Sequence, residues 1–366
     1  MRDLTLAALS GVAITAFAAP FGATARADDA HLSIAAPEGH APISVMADHR
    51  HKASEFMVSL RQMNMKMRGN IKGTDELSDA QVLAEPNEYG SPNPQNLRVV
   101  PQEMDMNMTM LGAMYAPSDK VTLLAMLMQI DNEMTLTTYQ GMMGTTVLDS
   151  FTTKTSGMGD TTLGALIEGG DTKAGAWHYG LALSLPTGGI KETDQVLTPA
   201  QQTPTKRLPY PMQLGSGSYD FKPSLTYNGD WGAWRVGAQA NAVIRLNDND
   251  ENYRLGDKVE LQGWLMKNLS SSASASLRLD ASHQEGMRGG DSAIYLPVPT
   301  AQTRAHGGTY ANISLGVNLI GKTSTLGGVL ANHRLAVEWV SPIHQDANGV
   351  QMKRDETLTI GWQKAF

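Results

Sequence analysis

The sequence predicts an all-β protein, a transmembrane antiparallel β-barrel of about 12 strands with long extracellular loops and short periplasmic turns. Three observations carry the prediction: long segments with a period of two, connections that alternate in length, and an aromatic final strand. The first is clearest in Gln102–Tyr115, where Met104, Met106, Met108, Met110 and Met114 alternate with Glu103, Asp105, Asn107 and Thr109. Successive strand side chains point to opposite faces, whereas a helix would scatter these thioethers around its circumference.

The chain begins with an export signal. Arg2 precedes an apolar run from Leu4 to Phe17, and small residues end in Ala25-Arg26-Ala27, an A-x-A cleavage pattern that makes 1–27 a signal peptide. The run is shorter than the ~20 residues a membrane helix needs. Residues 28–53 show no sustained period and hold His31, His40, Met46, His49 and His51, which reads as a periplasmic segment before a barrel over 54–366.

Within 54–366 strands are expected near 54–68, 102–116, 120–136, 160–170, 175–186, 218–229, 231–246, 255–267, 272–285, 308–320, 331–341 and 354–366. In 231–246, Trp234, Val236, Ala238, Ala240, Ala242, Ile244 and Leu246 share a face opposite Arg235, Gly237, Gln239, Asn241 and Arg245. Strands this long with one apolar and one polar face suit a membrane barrel better than a soluble sandwich, whose strands are shorter. Connections such as Pro117-Ser-Asp119 and Asn228-Gly-Asp230 are short, while 70–101 and 187–214 are long enough to fold inward. At the end, Leu358, Ile360, Trp362 and Phe366 share a face, an aromatic terminus of the kind that hands outer-membrane strands to the barrel insertion machinery.

Composition excludes several classes. No cysteine is present, so there is no disulfide and no thiolate metal site. A net charge of −7 without a basic cluster argues against nucleic acid. No Gly-x-Ser-x-Gly elbow or His-Glu-x-x-His helix marks an enzyme.

Four motifs in order carry a resemblance: Gly157-Met-Gly-Asp-Thr-Thr-Leu-Gly164, Gly180-Leu-Ala-Leu-Ser-Leu-Pro-Thr-Gly188, Gly215-Ser-Gly-Ser-Tyr-Asp220 and Tyr253-Arg-Leu-Gly-Asp257. Together they resemble the outer-membrane transporter family of the phenol meta-degradation (MetA-pathway) type, over about 155–366. The resemblance implies a porin-like barrel in a Gram-negative outer membrane that moves small apolar or aromatic compounds, and it brings no catalytic residues.

Two sets of candidate site residues follow. Arg61, Glu168, His178, Lys222, Arg235, Arg245, Glu260, Arg278, Asp280 and Glu338 fall on the expected lumen face, either as a salt-bridged filling or as a selectivity lining. Met63, Met65, Met67, Met104, Met106 and Met108, with Met46, His40, His49 and His51, form an alternative, a soft-metal set. Thioethers select Cu(I) and imidazoles suit copper in either state, so copper transport stands beside the solute channel. The competing reading of the methionines is plain apolar packing. Arg61 bears on the choice: a charge facing mid-bilayer lipid costs about 2–4 kcal/mol, so it should face inward and bring Met63, Met65 and Met67 with it.

Overall fold

The computed structural model describes residues 37–90, 93–172, 175–322 and 331–366; the expected signal peptide and His31 lie outside them. Its main sheet closes on itself as an antiparallel ring. The ring strands are β1 (Phe56–Gly73), β2 (Val99–Ser118), β3 (Val121–Tyr139), β4 (Thr161–Thr172), β5 (Gly175–Leu185), β6 (Asp220–Trp231), β7 (Trp234–Arg245), β8 (Lys258–Ser270), β9 (Ala273–Gln284), β10 (Gly308–Ile320) and β11 (His333–Ala365).

β11 is a hairpin written as one strand. Its residues 334–347 pair with β10 and residues 350–365 with β1, both antiparallel, while Ala347 faces Gly308 on one side and Gly73 on the other. Both registers fit only if the chain reverses at Asn348-Gly349, where Gly349 takes a left-handed φ of 70°. The two arms correspond to the expected strands 331–341 and 354–366, so the ring has twelve staves. Two further strands extend the sheet: Asp75–Leu77 pairs with β1, and Val147–Met158 pairs with the outer half of β3. Among the described residues no helix is long and apolar enough to cross a membrane.

The alternating sequence sorts into two faces because directly opposed residues in neighbouring strands share a face. The Leu60–Leu111–Leu127 row is 45%, 48% and 41% exposed, while Met57, Ser59 and Arg61 on the other face are buried. Leu277, Leu279, Leu315, Val317, Leu335 and Val337 continue the exposed apolar belt around the ring. Beyond Leu60 the outward residues turn polar: Asn64 Nδ2 donates to Asn107 Oδ1 at 2.8 Å, and Lys154 pairs with Glu133 at 2.8 Å. β1 to β3 are 18–20 residues long. At ~3.3 Å per residue they outrun a hydrocarbon band of ~25 Å even when tilted, so their outer halves stand clear of lipid.

The loop end is capped by an apolar cluster. Val99, Met104, Met134 and Leu136 from β2 and β3 meet Val196, Leu208, Tyr210 and Met212 from 186–219, Ile294, Val298 and Ala301 from 285–307, and Met352. Tyr89 joins from the 74–98 connection. Both loops long enough to fold inward therefore contribute to this cap.

Candidate conduit and its inner plug

The methionines of β1 to β3 form one wall of the lumen. Met63 faces Met108, Met65 faces Met106, and Met67 faces Met104, which in turn faces Met134. Lower down Met110 stands opposite Met128, and Met57 opposite Met114. This is the buried-face parity set by Met57, Ser59 and Arg61, so Met63, Met65 and Met67 face inward with Arg61, and the pairing brings the methionines of β2 and β3 to the same face. At the loop end Met67, Met104, Met106 and Met134 run into the apolar cap.

Below the cap lies a cavity of about 320 Å³. Met57, Arg61, Met114 and Met126 line one side, and Lys222, Gln239 and Glu260 the other. Its floor is Ser44, Met46, Ala47 and Asp48, residues of the N-terminal segment. The segment expected as a periplasmic leader thus sits inside the barrel from Pro37 onward and stoppers its short-turn end.

The polar lumen face holds this stopper by its backbone. Ser274 Oγ donates to Pro37 O at 3.0 Å, Arg334 Nη2 to Ala41 O at 2.5 Å, Gln239 Nε2 to Met46 O at 2.9 Å, His178 Nε2 to Ala47 O at 2.9 Å, and Asn228 Nδ2 to Asp48 O at 2.7 Å. In return Ser44 N donates to Glu338 Oε2 at 2.8 Å, and His51 N to Thr122 Oγ1 at 2.9 Å. A chain without secondary structure leaves its peptide groups unpaired, and burial demands partners for them. These side chains supply them. A Cβ on Gly361 would come within 2.6 Å of Ile43, so that glycine makes room for the stopper's apolar side.

The expected lumen charges are mostly paired. Arg278 bonds Asp280 at 2.6 Å and Glu338 at 2.8 Å, and all three are buried. Arg245 pairs with Asp220 and Glu260 with Lys258. Lys222 donates to Thr162 and Ser184 at 3.2 and 3.1 Å. Glu168 faces Arg50 of the stopper at 3.8 Å, and Arg235 pairs with an exposed Asp230 at 3.0 Å near a short turn. Arg61, 5% exposed, reaches the thioether of Met46.

The soft-metal set divides. His40, Asp48 and His49 bring one ligand atom each to within 4.8 Å of one another, all buried, and the His51 ring lies 4.9 Å from His49's. Met46 turns instead to Arg61 and the cavity. Of the wall methionines, Met67, Met104, Met106 and Met134 belong to the cap and Met57, Met114 and Met126 to the cavity.

Sequence reasoning missed what the quoted motifs do together. Asp160 Oδ1 accepts from Gly188 N at 2.9 Å, and its Oδ2 from Ser216 N and Oγ, both at 2.8 Å. Ser216 and Ser218 also donate to Asp220, and Asn249, which accepts from Tyr253 N, donates to Ser216 O at 3.0 Å. The four motifs are therefore one buckle that fastens both ends of loop 186–219. Gly188 and Gly215 touch backbone to backbone there, since a Cβ on either would meet the other's atoms at 2.6–2.7 Å.

The family described as "Putative MetA-pathway of phenol degradation" matches residues 93–294. A comparison with curated proteins found no match. Among solved structures, an outer membrane channel from Pseudomonas putida F1 is 14% identical, with 87% of this chain and 98% of that chain covered and a TM-score of 0.56. A deltaS2 mutant of the TodX monoaromatic hydrocarbon channel is 9% identical, covering 87% and 92%, at a TM-score of 0.45. A FadL homologue from Pseudomonas aeruginosa is 8% identical, covering 85% and 89%, at a TM-score of 0.39.

Proposed function

The chain belongs to the family of the MetA-pathway of phenol degradation, and from that premise we propose that it is a Gram-negative outer-membrane channel for small apolar, aromatic-sized solutes. The observation that carries this reading is the thioether wall, which runs from the apolar cap to the cavity above the stopper. A hydrophilic pore needs unpaired charge or open water along its path, and here most of the lumen charges are spent on one another and on the stopper. Methionine is unbranched and polarisable, so a wall of it adapts to differently shaped apolar guests and makes favourable contacts to aromatic ring edges. A cavity of about 320 Å³ accommodates a one-ring compound, since ~150 Å³ already holds benzene. Export by the signal peptide over 1–27 and handover through the strand ending in Phe366 belong to the same reading.

The test is uptake of a one-ring aromatic into proteoliposomes by two variants. Replacing Met63, Met65, Met106 and Met108 by Leu keeps volume and apolarity, and uptake should stay within about twofold. Replacing the same four by Ser should lower it by about tenfold or more, a barrier change of ~1.4 kcal/mol. Equal uptake by the Ser variant would remove the wall from the path. Cu(I) titration of the Leu variant separates the copper alternative: if copper binding and solute uptake vanish together, the methionines serve a metal.

A further inference from the structure

Three histidines of the stopper are buried with ring nitrogens that lack hydrogen bonds. His40 Nδ1, His49 Nε2 and both nitrogens of His51 have no hydrogen-bond partner, and His51 Nδ1 lies 3.4 Å from the Glu55 carboxylate. Their rings meet edge-on in a row, His40 to His49 at 4.6 Å and His49 to His51 at 4.9 Å between centroids. All three are at most 5% exposed. A buried unsatisfied polar atom costs about 1–3 kcal/mol, so four in one short segment are an expensive arrangement unless something fills them.

Asp48 supplies the orientation. Its Oδ1 accepts from His49 Nδ1 at 2.8 Å, and its Oδ2 from Ala41 N at 2.8 Å. With Nδ1 donating to the carboxylate, His49 presents Nε2 as a lone pair, which is the carboxylate–histidine arrangement that steadies metal ligands. The stopper's own path brings His40 to this point: Ala41 N is tied to Asp48, so the chain doubles back. Met46, two residues before Asp48, turns to Arg61, so the donor set contains nitrogen and oxygen but no sulfur.

We propose that His40 and His49, with Asp48 and His51 beside them, bind a divalent cation of the zinc class and thereby fix the stopper's own doubled-back path. Imidazole with carboxylate suits Zn²⁺ and its divalent neighbours, whereas Cu(I) would call for the thioether that has turned away. The inference stands apart from the channel reading, because it uses residues of the stopper and none of the methionine wall.

The experiment uses the untagged mature chain, folded in detergent, stripped with chelator and titrated with Zn²⁺ and then with Co²⁺. One Zn²⁺ per chain should bind, and Co²⁺ should show the intense visible bands of a low-coordinate nitrogen–oxygen site. His40→Ala with His49→Ala should abolish both, and Asp48→Asn should weaken Zn²⁺ by about 10–100-fold. Should the double variant fail to fold, judged by heat-modifiable gel migration, the conservative His49→Gln takes its place. The Leu variant of Met63, Met65, Met106 and Met108 should bind Zn²⁺ as the parent does. No stoichiometric Zn²⁺, Co²⁺ bands of an ordinary octahedral hydrate, or undiminished binding in the folded histidine variant would each overturn the site. Loss of aromatic uptake with Zn²⁺ binding intact would sink the channel reading and leave this one standing.

Discussion

Asp160 shows how one side chain can fasten a loop. Its carboxylate accepts three bonds from Gly188 and Ser216, and it is 7% exposed. Asp160→Ala strands those buried donors at about 1–3 kcal/mol each, and the loop they hold carries Lys191, Lys206 and Arg207. Trypsin should therefore cut the variant in that loop at least about tenfold faster than the parent, read by mass spectrometry, while the barrel stays intact. Equal cleavage would mean that the loop is held elsewhere. His306 gives the same loop end a pH dependence. Burial drives it down to about 4 against a weaker upward pull from a bond to the Thr300 backbone, and its ring stands edge-on to Tyr210 at 5.2 Å. A histidine lowered on folding contributes stability that is present above its unfolded value of ~6.5 and lost as pH falls towards 4, at most roughly 3 kcal/mol. Loop proteolysis should rise across that window with an acid-active protease, and His306→Phe should flatten the profile.

At the scale of elements, the strands were legible and the stopper was not, for one physical reason. A stave between lipid and lumen must alternate, and the alternation is written in its own residues; Leu60 and Arg61 declare their faces without any neighbour, and Gln62 and Met63 take theirs from that pair. Residues 37–53 have no period because several of their peptide groups pair with side chains of different strands, from Ser274 and Arg334 to Gln239, His178 and Asn228. The histidine group was half legible. His40, His49 and His51 stand out in the sequence as candidate copper ligands together with Met46, but the sequence could not show that Asp48 packs beside the histidines or that Met46 turns away from them. The lumen charges stand in the sequence as either a salt-bridged filling or a selectivity lining, and pairings such as Arg278 with Glu338 appear only once the register is known. The stopper predicts its own test. Deleting 37–53 should raise single-channel conductance by about severalfold in planar bilayers while heat-modifiable migration persists, since none of the ring strands is touched. Unchanged conductance would show that the apolar cap alone closes the lumen.

The whole molecule fixes its own depth in the bilayer. Near the short-turn end Phe56, Tyr115, Trp177, Trp231, Trp234 and Phe366 stand exposed as an aromatic girdle. The ring is sealed at this level, with Phe366 N donating to Phe56 O at 2.8 Å. Above the girdle runs the leucine belt, in which Leu265, Leu277 and Leu315 form one row and Leu60, Leu111 and Leu127 another. Beyond it Asn107 and Asp105 point outward from β2, where water must reach them. The depth dependence of charge in a barrel wall turns this placement into a measurement. Leu315→Arg should lower folding stability by about 2–4 kcal/mol in lipid vesicles, because the guanidinium sits among hydrocarbon tails. Asn107→Arg, equally outward-facing, should cost no more than ~1 kcal/mol, because the strand has already left the band. If the two cost the same, the leucine row is not the midplane. The thioether wall at Met106 and Met108 would then face a lumen at membrane depth rather than above it, and solutes would meet it after entering the bilayer span.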